Sequence, residues 1–349
     1  MRSYNYDIST AKAIAIILMV IGHSGCPADL VHFIYLFHMP VFFFCSGYFF
    51  APPTSLGALK CNAVKKIKRL YYPYVKWSVL FLLMHNIFFY LGIYNSEYGY
   101  EGKVFYIYSL EDYIKRLFYV LLTMDKHEPL LGGYWFLKVL LLSSLLANLL
   151  FYIQNHYKLS KHFSICFLLL VLIISMFYNS STVILGNFST LFLASVYFVF
   201  GYYVAKSRIN DYKYSNLELI AMLALLVGAT IYYHSISMFS EGHDILVYLL
   251  FSLIGILFLL GCSKKINKID IGKIFFYYVG SNTMIILTFH FLAFKIVSFF
   301  IIWYYNLDFS RLSQFPVVTD VGSLWWIIYT LAGVFIPLCF SYLCKRISF

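Results

Sequence analysis

The chain has 349 residues, 26 of them Lys or Arg and 15 Asp or Glu, which gives a formal charge of +11; 62% of the residues are hydrophobic and 21% aromatic. A soluble domain carries about a quarter charged residues and about 45–50% apolar ones, so this composition excludes a soluble enzyme, a disordered chain and a nucleic-acid module. The solvent is lipid, and the positive excess fits cytoplasmic loops rich in Lys and Arg.

A helix needs about 20 predominantly apolar residues to cross the hydrocarbon. In chain order such spans fall at 6–25, 32–51, 73–93, 134–153, 163–179, 189–205, 217–236, 245–262, 274–303 and 324–343. The first resembles a signal peptide, but no small-residue cleavage site follows it, so it is expected to stay as the first span. Segment 113–124 is too short and too basic to span and reads as an interfacial helix. The span at 274–303 is long enough to tilt, break or extend beyond the bilayer. With the N-terminus inside, Lys and Arg crowd the alternate loops at 60–69, 158–161, 206–213, 264–273 and 345–346. The opposite loops hold only Lys103, Lys115, Arg116, Lys126 and Arg311. The predicted fold is therefore an all-α integral membrane protein with about ten transmembrane helices and both termini cytoplasmic. Seven scattered cysteines without a CxxC pair indicate neither a disulfide framework nor a zinc site.

Four cations, Lys12, Lys76, Lys138 and Lys295, fall inside predicted spans, where charge is costly and faces a cavity or snorkels. Lys76 is one turn into its helix and is expected to snorkel. Lys12 and His23 stand eleven positions apart on the first helix. That is three turns and about 20°, so both project from one face, about 16 Å apart along the axis. In the second span His38 precedes Met39-Pro40, where the proline is expected to kink the helix and free backbone groups. Further on, Ser46-Gly47 admits a close approach of helix or ligand. Lys65, Lys66, Lys68 and Arg69, followed by Tyr72-Pro73, form a basic stretch suited to phosphate groups, although topology bias alone also accounts for it. Glu128 and Trp135 mark the outer rim of the fourth span. Asn282 and His290 lie eight apart in the ninth and face within about 80° of each other.

These segments resemble membrane acyltransferase family 3, the group that includes fucose 4-O-acetylase-like proteins and O-antigen O-acetyltransferases. The matching stretches are DISTAKAIAIILMVIGH (7–23), FHMPVFFFCSGYFF (37–50), RLYYPYV (69–75), YWFL (134–137) and GSNTMIILTFH (280–290). The resemblance implies a single polytopic domain over 1–349, with helices around a central cavity and no appended soluble domain. It implies transfer of an acyl group, usually acetyl from acetyl-CoA, to a hydroxyl of an extracytoplasmic or lipid-linked sugar or polysaccharide in a bacterial inner membrane. No metal or nucleic acid enters. The family's R-x10-H pair maps onto Lys12 and His23, keeping the charge but losing the bidentate fork. Its R-x-x-R appears as Lys66-x-x-Arg69.

From this follow the expected roles. Lys65, Lys66, Lys68, Arg69 and Tyr72 hold the CoA phosphates and Lys12 guides the cofactor. His23 works as general base on the hydroxyl or as a transient acyl carrier. His38 and His290 hydrogen-bond the acceptor or His23, Asn282 or Ser46 donates to the oxyanion, and Glu128 and Trp135, with Glu97 and Glu101, meet the sugar. The rival class is a transporter or flippase for a lipid-linked sugar or exopolysaccharide. It explains the composition, but not the Lys12/His23 register, His38-Met39-Pro40 and the basic loop together.

Overall fold

Apolar runs in lipid can satisfy their backbone only as helices or closed barrels, and here they are helices. The computed structural model describes residues 5–98, 106–125, 127–177, 181–182, 186–234, 236–322 and 324–347. Its helices are α1 (Tyr6–His23), α2 (Ala28–Tyr35), α3 (His38–Tyr48), α4 (Leu56–Lys66), α5 (Tyr72–Tyr90), α6 (Leu110–Thr123) and α7 (Trp135–His156). They continue with α8 (Phe163–Phe177), α9 (Phe188–Lys206), α10 (Asn216–Tyr232), α11 (Asp244–Ile266), α12 (Asp270–Ser281), α13 (Thr283–Tyr305) and α14 (Trp325–Ile347). A two-residue antiparallel ladder pairs Ser181–Thr182 with Gly186–Asn187.

Each of the ten expected spans carries helix. Among the described residues, seven stretches are long and apolar enough to cross a membrane: Tyr6–His23, Ala28–Tyr48, Pro129–His156, Phe188–Lys206, Asp244–Ile266, Thr283–Tyr305 and Trp325–Arg346. The apolar helices α8 and α10 are shorter, and α5, with Lys76, His85 and Asn86 along it, is not among the seven. Glu101, Lys103 and Lys126, used in the charge and rim arguments, lie outside the described residues.

Two expected spans are interrupted. The second breaks at Leu36–Phe37 into α2 and α3. Pro40 then falls in the first turn of α3 rather than kinking a continuous helix, because a first-turn residue has no intrahelical N–H bond to lose. The ninth breaks at Asn282, between α12 and α13. The amphipathic segment becomes α6, opened by a capping box between Ser109 and Asp112. Its Leu110, Ile114, Phe118 and Leu122 are exposed.

The chain divides into two compact units, the first built from residues 1–15, 32–73 and 136–280. There α1 opens with Asn5, whose Oδ1 accepts the N–H groups of Asp7 and Ile8 at 2.9 and 3.2 Å. Helices α3 and α9 pack backbone to backbone at two glycines. A Cβ on Gly47 would lie 1.7 Å from the Phe198 carbonyl oxygen, and one on Gly201 2.1 Å from that of Phe44. Around the crossing Phe43, Phe44, Tyr197 and Phe198 are buried, and the Tyr197 and Ser252 hydroxyls meet at 2.5 Å.

The second unit comprises 16–31, 74–135 and 281–349. Its core runs along α13 and α14, where the Ser298 hydroxyl meets that of Tyr329 at 2.9 Å. Phe294 packs edge-on against the Tyr329 ring at 5.4 Å. The tight turn Pro129–Tyr134 leads into α7 and docks on α13 through Tyr134 Oη and Thr288 Oγ1, 2.7 Å apart.

Candidate active site

In the first unit the basic stretch follows α4 and passes through a π-helical turn, Ile67–Tyr71, before α5. Pro73 has no N–H to offer the carbonyl four residues back, and the N–H of Tyr72 reaches the Ile67 carbonyl five back. Lys65, Lys68, Arg69 and Tyr72 are exposed, whereas Lys66 is half-buried. The Lys66 ammonium donates to Ser46 Oγ at 2.9 Å and stands 5.0 Å from the centre of the Phe198 ring. Burial, and then the nearby Arg69 guanidinium, push the Lys66 ammonium down to about 8. Two residues expected in different roles, Ser46 and Lys66, are thus in contact. Lys12 lies half-buried on α1. His38 is buried, its Nδ1–H donates to the Ile34 carbonyl at 2.8 Å, and its ring lies 5.2 Å from that of Tyr35.

In the second unit His23, the last residue of α1, is half-buried and faces His290 of α13, with ring centroids 5.9 Å apart. Phe291 closes on both, 5.2 Å from His23 and 3.9 Å from His290. His290 is fully buried. Its Nδ1 lies 3.1 Å from the Ile286 carbonyl oxygen and 3.0 Å from that of Leu287. Carbonyls only accept, so Nδ1 carries the hydrogen. Nε2 is buried with no hydrogen-bond partner among the described residues.

The remaining expected residues have local duties. Asn282 precedes α13, and its Oδ1 accepts from Ser341 Oγ and Lys345 Nζ, both at 3.0 Å. That oxygen is engaged within the unit, and the break at Asn282 means that Asn282 and His290 do not lie on one continuous ninth helix as their spacing predicts. Trp135 begins α7, half-buried. Among the span cations, Lys76 is exposed with its ammonium 4.9 Å from the Trp77 ring, as snorkelling requires. Lys295 is buried and donates to the carbonyls of Leu312 and Gln314 at 3.0 and 2.5 Å.

Glu128, expected at a rim, is buried against a residue that sequence reasoning passed over. His85 Nδ1 lies 2.8 Å from Glu128 Oε2, both side chains being 0% exposed. His85 Nε2 bonds the Tyr106 carbonyl at 2.9 Å, and the ring stacks on Tyr108 at 3.3 Å. The available signal was the polar pair His85-Asn86 inside an apolar span, but its partner is 43 residues away.

Taken together, the chain is a multi-pass helical membrane protein with two imidazoles in contact on one unit and a basic stretch on the other. A family model described as an acyltransferase domain matches residues 5–346. The chain belongs to acyltransferase family 3. That match supports an acyltransferase and gives the transporter alternative no support. Neither a curated protein nor a solved structure matches the chain.

Proposed function

We propose that this chain is a multi-pass O-acyltransferase of a bacterial inner membrane. It moves an acyl group, acetyl in the first instance, from cytoplasmic acyl-CoA to a hydroxyl of an extracytoplasmic or lipid-linked sugar or polysaccharide. The single observation that carries this reading is the His23 imidazole facing that of His290 at 5.9 Å in a chain whose residues 5–346 match an acyltransferase domain. An alcohol attacking a thioester needs a group to take its proton or to carry the acyl group between donor and acceptor, and His23 is assigned to the reacting centre in one of those roles. Lys12, on the same helix, supplies a cation to guide the donor.

Lys65, Lys66, Lys68 and Arg69 bind the phosphates of CoA, with Tyr72 beside them. CoA carries its charge on phosphates that cannot enter lipid, so a donor site needs cations outside the hydrocarbon. Trp135 contributes to the acceptor side.

The test is transfer of label from [14C]acetyl-CoA to envelope glycans by the purified full chain in nanodiscs. His23→Ala abolishes transfer while the protein stays monodisperse. Lys66→Ala combined with Arg69→Ala raises the acetyl-CoA concentration needed for half-maximal rate. Undiminished transfer in His23→Ala refutes the assignment of His23, and an unchanged donor requirement returns the basic stretch to topology alone.

A further inference from the structure

Serines in the other spans close on their own helix. Ser143, Ser144, Ser195 and Ser263 each donate the hydroxyl hydrogen to a carbonyl three or four residues back. Ser46 on α3 is placed differently. Its Oγ lies 2.9 Å from Lys66 Nζ at the end of α4, and the Phe198 ring of α9 flanks that nitrogen at 5.0 Å. Both side chains are half-buried, so the pair is partly withdrawn from solvent and still reached from it. Lys65, Lys68 and Arg69, all within three residues of Lys66, are exposed. A hydroxyl within hydrogen-bond reach of a lysine amine is the arrangement of a nucleophile with its base.

Resting on the acyltransferase reading, we propose that Ser46 is the acyl carrier of this chain and Lys66 the base that activates it, with the donor an acyl thioester held by the neighbouring cations. The Lys66 amine takes the hydroxyl hydrogen as Ser46 Oγ attacks the thioester carbonyl carbon. A C–O bond forms, the C–S bond breaks, and CoA leaves as thiolate. The Lys66 ammonium then gives its proton to the sulfur. The products are acyl-Ser46 and CoA thiol, and Lys66 is an amine again. The acyl group now stands as an oxygen ester, free of CoA, for an acceptor hydroxyl. With Ser46 as carrier, the role left to His23 is that of general base.

Lys66 suits the task because burial and the Arg69 guanidinium hold it down to about 8. About one Lys66 in ten is therefore the amine at pH 7, against about one in a few thousand for an ordinary lysine. Arg69, which is exposed, keeps its charge for phosphate while Lys66 is neutral.

The probe is acetyl-CoA radiolabelled in the acetyl group, mixed with the full chain in nanodiscs without acceptor and quenched in acid within one turnover. In the wild-type protein the label maps to the peptide that carries Ser46 and is released by alkaline hydroxylamine, as an oxygen ester is. In Ser46→Ala that peptide carries none. In Ser46→Cys, which keeps a nucleophile in place, the label is released by neutral hydroxylamine, as a thioester is. Lys66→Arg keeps a cation for the phosphates but supplies no base. Its acetyl-CoA affinity at pH 7, measured by calorimetry, matches wild type, and ester formation at saturating acetyl-CoA slows by at least about 100-fold, the usual worth of a general base. If Lys66→Arg does not fold, Lys66→Met shows the same slowing at saturating acetyl-CoA. A lysine that only steadied Ser46 or held phosphate would change the affinity and leave the saturated rate.

A label on Lys66 as an amide, which resists alkaline hydroxylamine, makes the lysine the nucleophile and overturns the proposal. So does a label on His23, glycan acetylation by Ser46→Ala at the wild-type rate, or glycan acetylation by a wild-type chain that never carries label. Absence of both CoA release and glycan acetylation in the wild-type protein refutes the acyltransferase reading itself.

Discussion

Removing the Glu128 carboxylate tests the buried pair that the sequence concealed. The Tyr106 carbonyl can only accept, so His85 Nε2 carries a hydrogen. One further proton then lies between Nδ1 and Glu128 Oε2, 2.8 Å apart, and the pair is neutral overall whichever atom holds it. Glu128→Ala leaves Nδ1 unpaired in a site with both partners 0% exposed. A neutral imidazole left with one buried, unsatisfied acceptor costs about 1–3 kcal/mol. Glu128→Gln behaves differently, because its amide N–H donates to the Nδ1 lone pair of a neutral ring, and the loss is about 1 kcal/mol. The double variant His85→Ala/Glu128→Ala is less destabilised than the two single changes added together, the difference being about 0.5–3 kcal/mol. Reversible unfolding of the full chain in mixed micelles measures all four proteins. A Gln variant as unstable as the Ala variant, or an Ala variant within about 1 kcal/mol of wild type, would show that the pair does not hold Tyr106 and α5 together.

Gly47→Ala has no room for its methyl group, with the Phe198 carbonyl oxygen 1.7 Å from the Cβ position, so α3 and α9 separate and the monodisperse peak in detergent is lost. Gly57→Ala on exposed α4, where only Ser55 Oγ lies near at 3.8 Å, is the control; it gains about 0.5–1 kcal/mol from helix propensity, and equal yields of the two variants would contradict the packing. Lys66, held down to about 8, is charged below that pH and neutral above it, so acetyl-CoA affinity measured by calorimetry falls as pH rises from 7 to 9. In Lys66→Arg the dependence disappears, since a guanidinium stays charged throughout; a flat wild-type profile would separate Lys66 from the phosphates.

Which parts of this architecture were legible follows from what each depends on. The helices depend on apolar run length and were read to within a few residues at most ends. The breaks depend on less. Leu36-Phe37 contains neither Gly nor Pro, and Pro40 marked an irregularity three residues beyond the actual break, while the length of the ninth span and Gly280-Ser281-Asn282-Thr283 allowed a break without fixing its place. The basic stretch was visible as composition, whereas the contact of Lys66 with Ser46 joins residues 20 positions apart through the packing of two helices. The spacing of Lys12 and His23 translates directly into helix geometry because α1 is unbroken from Tyr6 to His23. His85 was missed for the opposite reason: its significance lies wholly in Glu128, across a loop whose course no periodicity fixes.

The two buried histidines of α3 and α13 show where local rules stop. Each sits one turn above a carbonyl and donates its Nδ1–H to it, His38 to Ile34 and His290 to Ile286. Helix geometry alone produces this back-bond, since a side chain leans over the turn on its N-terminal side. It fixes the same tautomer in both, and so cannot distinguish a strut from a base. The difference comes from the neighbours. His38 lies at the first position of its helix with its ring against Tyr35, a residue of the preceding turn, and the contact closes the break between α2 and α3. His290 lies in the second turn of α13, and its ring centre stands 5.9 Å from that of the His23 imidazole at the end of α1. One back-bond thus serves two surroundings, an aromatic side chain of the preceding turn beside His38 and a second imidazole from another helix beside His290.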